Sequence, residues 1–261
     1  MNPGISWLDG ELTADPQISA SNRGLLVGLG VFETLKVTHG NAEFLDRHLQ
    51  RLRSGWIQIG SSQLDLGLVQ SGVAEVLSAN SHDGRPARLR ITVTDSGDSP
   101  IVLVTLLPLQ PWPETTTCIV LPWNRNESSP LVGIKSTSYA ENVLGHRWAQ
   151  ERGYSEGLYL NNEGYLVEGS TTNVFLVMEG AVVTPAKSQG LLPGIIREVL
   201  LENGWAQEAS LTLADLEKAD EVFLTSSTRG IHPVLKCGAR EFACVGSTTR
   251  RLMEAFQDLQ K

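Results

Sequence analysis

Three prolines fall within six residues, Pro108, Pro111 and Pro113, directly after the apolar strand pattern from Ile101 to Leu107. Proline has no backbone N–H and a fixed φ, so neither a helix nor an inner strand continues through such a stretch. The chain is therefore expected to divide there into a smaller N-terminal α+β lobe at 1–108, a linker at 109–117 and a larger C-terminal lobe at 118–261. At 261 residues, the chain is long enough for both lobes to bury a core.

Both halves mix strand and helix patterns without the regular βα alternation of a dinucleotide-binding fold, which gives an α+β class. Val31–Thr38 alternates as a strand and runs into the turn residues His39, Gly40 and Asn41. Phe44–Ile59 reads as a helix because Leu45, Leu49, Leu52 and Trp56 recur at three- and four-residue intervals. A second helix is expected at Leu64–Leu77, ended by the polar stretch from Asn80 to Pro86. Arg88–Thr94 and Ile101–Leu107 form an expected antiparallel hairpin.

In the second half, a strand is expected at Cys118–Leu121 and a helix from about Ser138 to Gly153. Hairpins turn at Asn162-Glu163-Gly164 and Glu179-Gly180. Pro193 opens a helix that Asn203-Gly204 closes. Thr212 to Asp215 has the spacing of a capping box. A strand at Glu221–Ser226 and a helix from Ser247 complete the chain.

The formal charge is −8, from 29 acids against 21 bases. That argues against nucleic acid or anionic lipid as a partner, since both require a basic face. Cys118, Cys237 and Cys244 form no CxxC or Cys/His cluster, so no metal is expected. The first residues lack the basic and apolar regions of a signal peptide, and no apolar run approaches the length of a membrane helix. A cytoplasmic protein acting on a small molecule is the expectation.

Four constellations could carry chemistry. Lys135, in Gly-Ile-Lys-Ser-Thr-Ser-Tyr, is flanked by Ile134 and Tyr139 in a partly apolar setting that favours a nucleophilic amine. Glu168 precedes the small polar run Ser170–Asn173, more hydrogen-bonding capacity than an apolar strand start needs for itself. Leu191-Leu-Pro-Gly-Ile-Ile-Arg197 starts a helix, whose N-terminus attracts anions. Leu224–Val234 runs from a strand into a turn rich in hydroxyls. Taken alone, each equally describes an ordinary surface lysine, turn carboxylate, helix start or turn. Together they supply the amine, the acid and the phosphate cup that pyridoxal phosphate requires.

The spelling and order of six motifs resemble the class IV, or fold-type IV, pyridoxal-phosphate enzymes. These motifs are Arg23-Gly with Gly30-Val-Phe-Glu-Thr, His48-Leu-Gln-Arg-Leu52, Lys135-Ser-Thr-Ser-Tyr, Glu168-Gly-Ser-Thr-Thr-Asn-Val-Phe, Leu192-Pro-Gly-Ile and the stretch from Thr225 to Val234. The family contains branched-chain aminotransferases, D-amino acid aminotransferases and 4-amino-4-deoxychorismate lyases. The resemblance implies a two-lobe fold like that of D-amino acid aminotransferase, working as a homodimer with its active site at the crevice of the lobes. It implies that Lys135 is the Schiff-base lysine and proton shuttle, and that Glu168 partners the pyridine nitrogen. Arg51, the backbone of Ile195 and Ile196, and the hydroxyls of Ser227 and Thr228 would hold the phosphate. Leu192 would pack against the ring.

Within the family, Phe32-Glu33-Thr34 and Thr228-Arg-Gly230 are similar to the lyases, and Thr34 is a candidate proton donor to the departing enolpyruvyl group. Asp95 stands where D-amino acid aminotransferases carry a carboxylate-trapping arginine, which leaves Arg88, Arg90 and Arg229 to bind substrate carboxylates. Gly28-Leu29-Gly30 departs from the family pattern, which places an aspartate between the glycines. The resemblance thus implies a lyase, with an aminotransferase as the alternative.

Overall fold

The structure, a computed structural model, describes residues 4–80 and 85–259. It forms two compact units. One comprises Met1–Pro111 with Ile134–Tyr139, and the other comprises Trp112–Gly133 with Ala140–Lys261. Ile134–Tyr139, within the stretch expected to belong to the C-terminal lobe, thus clusters with the first unit. The cause is main-chain pairing that side-chain pattern does not reveal. The Phe32 N–H donates to the Lys135 carbonyl (2.8 Å) and the Thr137 N–H to that of Gly30 (2.8 Å).

The first unit is built on β1 (Ser6–Leu8), β2 (Glu11–Thr13), β3 (Gly30–Thr38), β4 (Asn41–Ala42), β5 (Ala87–Asp95) and β6 (Pro100–Pro108). They form one sheet in the order β2-β1-β6-β5-β3-β4, every pair antiparallel. The expected β5–β6 hairpin is present. The break expected from Asn80 to Pro86 falls largely at 81–84, outside the described residues.

Alternation divides the sheet into two faces. Val31, Leu35 and Val37 of β3, with Leu89, Ile91 and Val93 of β5, are buried in the core. Helices α2 (Leu45–Ile59) and α3 (Leu66–Ala79) cover that face with Leu49, Leu52, Trp56, Val69, Val73 and Val76. α3 starts two residues later than expected because Asp65 caps it, accepting from the Gly67 and Leu68 N–H groups. Its Gly72 lies against Trp7, where a Cβ would come within 2.6 Å of the indole. The short helix α1 (Arg23–Val27) ends at Gly28, in the left-handed conformation.

The second unit contains a nine-stranded mixed sheet in the order β12-β11-β10-β13-β14-β7-β8-β9, with β15 (Arg240–Glu241) paired to β14. Its strands are β7 (Thr116–Val120), β8 (Glu156–Leu160), β9 (Leu166–Gly169), β10 (Asn173–Met178), β11 (Ala181–Pro185), β12 (Gln207–Ala209), β13 (Glu221–Ser226) and β14 (Gly230–Cys237). β10 and β13 are buried on both faces, with Phe175 stacked on its register partner Phe223 at 4.8 Å.

Helix α4 (Ala140–Gln150) packs on β8, and α5 (Ile195–Glu202) packs on β13. The capping box of α6 (Leu213–Lys218) forms as expected, and α7 (Ser247–Leu259) closes the unit against β13 and β14. Pro193 is not the first helical residue. Gly194 is the N-cap and α5 begins at Ile195.

Candidate active site

In the first unit, the site lies on the sheet face opposite the core. Lys135 enters through the ladder-like pairing of its backbone to β3, and its Nζ lies 4.6 Å from the ring centroid of Phe32 and 5.2 Å from that of Tyr139. The two rings meet edge to face at 5.0 Å. The Arg90 guanidinium lies 3.8 Å from the Phe32 centroid, so one buried aromatic ring serves two cations.

Thr34 is two residues along β3 from Phe32 and shares its face. Its register partner on β5 is Arg90, and Lys36 is paired in the same way with Arg88. Arg90 Nε donates to the Thr92 hydroxyl (3.1 Å). Among the described residues, neither Arg88 nor Arg90 has a carboxylate partner. Burial, followed by the like charge of Arg88, lowers the pKa of Arg90. Such a half-buried, uncompensated cation is a receptor for an anion.

The core side of β3 carries a different group. Glu33 is fully buried and accepts from Arg51 through both oxygens, Nε to Oε1 at 2.8 Å and Nη2 to Oε2 at 2.7 Å. His48 Nδ1 lies 2.6 Å from Glu33 Oε2. Burial pushes the Glu33 carboxyl up, but the charge and hydrogen bonds of Arg51 outweigh it, with help from His48, and hold the pKa at about 2. Burial lowers the His48 pKa despite its bond to Glu33, so the neutral ring donates from Nδ1. Arg51, the expected phosphate residue, thus offers two of its nitrogens to Glu33. Asp95 serves the fold, accepting from Arg23 Nη1 (3.0 Å), Ser61 Oγ (2.9 Å) and the Gly97 N–H (2.7 Å).

In the second unit, the β10–β13 ladder ends with Asn173 opposite Thr225. There the structure brings together several of the expected residues. Glu168, at the end of β9, accepts from the Leu192 N–H (3.0 Å) and lies 3.3 Å from Arg125 Nη2. Asn173 Nδ2 donates to the Leu192 carbonyl (2.9 Å), which fixes Leu192 from both ends. Asn173 Oδ1 lies so close to Gly194 that a Cβ there would come within 1.9 Å of it.

The N-terminus of α5 carries no side-chain cap. The side chains of Ile195 and Ile196 are buried, so what they present is backbone N–H. The hydroxyls of Thr172, Thr225 and Ser226 are buried without a hydrogen-bond partner within the described protein. Ser227 and Thr228 are the central residues of the turn between β13 and β14, closed by the Arg229 N–H to the Ser226 carbonyl (3.2 Å). Gly230 follows with φ +68°, the left-handed region that glycine adopts without a Cβ clash.

Arg229, expected at a substrate carboxylate, is bound within the protein instead. Its Nη1 lies 3.1 Å from the buried carboxylate of Glu156 and its Nη2 donates to the Thr171 hydroxyl (3.1 Å). Sequence reasoning missed Arg125, Glu156 and the Glu33–His48 contact. A single cation in Trp123-Asn124-Arg125 carries no periodic signal, and Glu33 looks like any polar residue of an alternating strand.

A family model for amino-transferase class IV matches residues 30–237. A Methanocaldococcus jannaschii protein, named as a candidate branched-chain-amino-acid aminotransferase, is 30% identical over 94% of this chain and 92% of its own. The aminodeoxychorismate lyase of Bacillus subtilis is 29% identical over 95% of this chain and 89% of its own. Among solved structures, the branched-chain aminotransferase of Thermoproteus uzoniensis with norvaline is similar with a TM-score of 0.90. Its identity is 26%, and the match covers 98% of this chain and 94% of that one.

The donor set fits pyridoxal phosphate. The second unit offers an uncapped helix N-terminus and unpartnered hydroxyls for a phosphate, and a carboxylate for a protonated ring nitrogen. The first unit offers an amine set on aromatic rings. This chain belongs to the class IV aminotransferase family, the pyridoxal-phosphate-dependent enzymes of fold type IV.

Proposed function

We propose that the enzyme is a 4-amino-4-deoxychorismate lyase, which converts aminodeoxychorismate to 4-aminobenzoate and pyruvate. The observation that carries this reading is the hydroxyl of Thr34, on the same strand face as the Phe32 ring that lies against the Lys135 amine. Residues two apart in a strand lie about 7 Å apart on one face, so the Thr34 hydroxyl and the Phe32 ring face the same side of the sheet as the Lys135 amine.

Arg51, the N–H groups of Ile195 and Ile196 and the hydroxyls of Ser227 and Thr228 hold the cofactor phosphate. Leu192 would pack against the cofactor ring, and Glu168, which accepts from the Leu192 N–H, would keep its nitrogen protonated. Bound pyridoxal phosphate supplies an electron sink for the carbon that carries the substrate amine. Lys135 takes the proton from that carbon. The bond to the enolpyruvyl oxygen breaks with its electron pair leaving on oxygen. Thr34 supplies a proton to the departing group, which becomes pyruvate as the ring becomes aromatic, and the proton taken by Lys135 returns through solvent to restore the Thr34 hydroxyl. Arg90 and Arg88 receive the substrate carboxylates, and their lack of a carboxylate partner among the described residues supports a substrate with two.

The working form in this reading is a homodimer, supported by the exposed apolar side chains Leu25, Leu26 and Val27 on α1. An aminotransferase is the second reading, favoured by the similarity to the Methanocaldococcus and Thermoproteus proteins. Incubation of the cofactor-loaded enzyme with aminodeoxychorismate separates the two. The lyase yields 4-aminobenzoate and pyruvate in equal amounts with no 2-oxo acid added. A requirement for a 2-oxo acid overturns the proposal.

A further inference from the structure

Glu156 opens β8 with no exposed surface, and it gathers donors from three other segments. The Ser170 hydroxyl and the Thr171 N–H (3.0 Å) donate to Oε1, and the Thr171 hydroxyl (2.8 Å) donates to Oε2. Arg229 Nη1 lies 3.1 Å from Oε2, and the His146 ring of α4 approaches Oε1 at 3.8 Å. Burial acts to raise the Glu156 pKa. The His146, Arg229 and hydroxyl contacts outweigh it, and the group is held ionised.

Arg229 is held from several sides in turn. Its side chain is only 5% exposed, its Nη2 reaches the Thr171 hydroxyl and its guanidinium lies 4.2 Å from the ring centroid of Trp112. Two turns meet at the Glu156–Arg229 pair. One follows Glu168 directly, and the other has Ser227 and Thr228 at its centre with Arg229 at its closing corner.

A planar guanidinium bonded along two directions fixes orientation as well as distance. We propose that Glu156, acting through Arg229, is a positioning residue that sets the Ser227–Thr228 turn and thereby the affinity for the cofactor phosphate. The inference rests on the reading of that turn as a phosphate site. It assigns Arg229 to the turn and not to a substrate carboxylate. Without Glu156, a buried guanidinium is left uncompensated, and the turn shifts to bring it to water.

The test is the dissociation constant of the apo-protein for pyridoxal phosphate and, in parallel, for pyridoxal, which has the same ring and aldehyde without the phosphate. Glu156→Gln and Arg229→Met are each expected to weaken pyridoxal phosphate by at least about tenfold and pyridoxal by less than about twofold, the separation a lost phosphate contact produces. The double variant should be no weaker than either single one, since both remove one clamp. Arg229→Lys, which keeps the charge without the fork, should fall between wild type and Arg229→Met and keeps the test open if Glu156→Gln fails to fold.

Unchanged affinity for pyridoxal phosphate in the variants overturns the proposal. So does an equal loss for both ligands, which means a general loosening of the unit. Ser227→Ala separates the two levels. If it binds pyridoxal phosphate as tightly as wild type while Glu156→Gln is weakened, the phosphate-turn reading fails and the proposal with it. If Ser227→Ala is weakened and Glu156→Gln is not, the clamp alone fails.

Discussion

Replacing Glu33 with glutamine removes the negative charge from a buried cluster in which Arg51 and His48 surround it. An ordinary glutamate titrates near 4.5, and here the carboxyl is held at about 2. At about 1.36 kcal/mol per pH unit, that gap corresponds to about 3 kcal/mol of native stability from the charged form at neutral pH. The native pKa lies below the unfolded one, so this stability is complete above about pH 4.5 and is lost as pH falls toward 2. About half of it is gone near pH 3.3. The glutamine side chain keeps one acceptor for Arg51 and no charge, so Glu33→Gln should be about 3 kcal/mol less stable at pH 7, within the range for breaking a buried pair.

The assay is urea unfolding of the full chain followed by tryptophan fluorescence, at half-unit steps from pH 7 to pH 3. The difference between wild type and Glu33→Gln should shrink steadily below about pH 4.5. A difference under about 1 kcal/mol at pH 7, or one constant across the range, refutes the reasoning. The first result means the pair is worth no more than its desolvation. The second means that Glu33 is not the titrating group.

Thr34→Val should lower the rate of 4-aminobenzoate formation by about 100-fold or more, as loss of a general acid does, with little change in cofactor affinity; the rate and the affinity measured side by side fix its role. Arg90→Met should raise KM for a dicarboxylate amine by about tenfold to a hundredfold, as loss of a hydrogen bond to a charged group does, with less effect on kcat. Lys135→Ala should abolish turnover and the visible absorbance of the lysine-bound cofactor, read from a single spectrum. Gly194→Ala drives a methyl group into Asn173 Oδ1. It should cost about 1–3 kcal/mol of stability in a melting curve and weaken pyridoxal phosphate as Asn173 releases Leu192.

What was legible in the sequence was whatever depended on side-chain periodicity. The strand at Val31–Thr38, the helix built on Leu45, Leu49, Leu52 and Trp56, and the hairpin before Pro108 stand within one or two residues of expectation. The three-residue strands β1 and β2 are too short to carry a period. β14 contains Pro233 and follows a hydroxyl-rich turn, so it reads as loop, yet it pairs with β13 along five residues. The helix expected from Ser138 starts at Ala140 because Thr137 and Ser138 donate to the Gly28 carbonyl instead of entering it.

The motifs picked out Lys135, Glu168 and the Ser227–Thr228 turn, because those residues sit at element ends where short polar runs stand out. Partnerships between distant segments left no such trace. Arg125 meets Glu168 across 43 positions of chain, and Arg229 meets Glu156 across 73, counted from their residue numbers. Neither pair has a spacing that a local pattern could reveal, so Arg229 looked free for substrate.

The central claim is tested most directly by counting turnovers per active site with aminodeoxychorismate as the sole substrate. A lyase returns its cofactor unchanged in each cycle, so many equivalents of 4-aminobenzoate should accumulate with an equal amount of pyruvate and an unaltered cofactor spectrum. Reaction that stops at one equivalent, with the cofactor left in its amine form until a 2-oxo acid is added, would contradict the account and identify an aminotransferase.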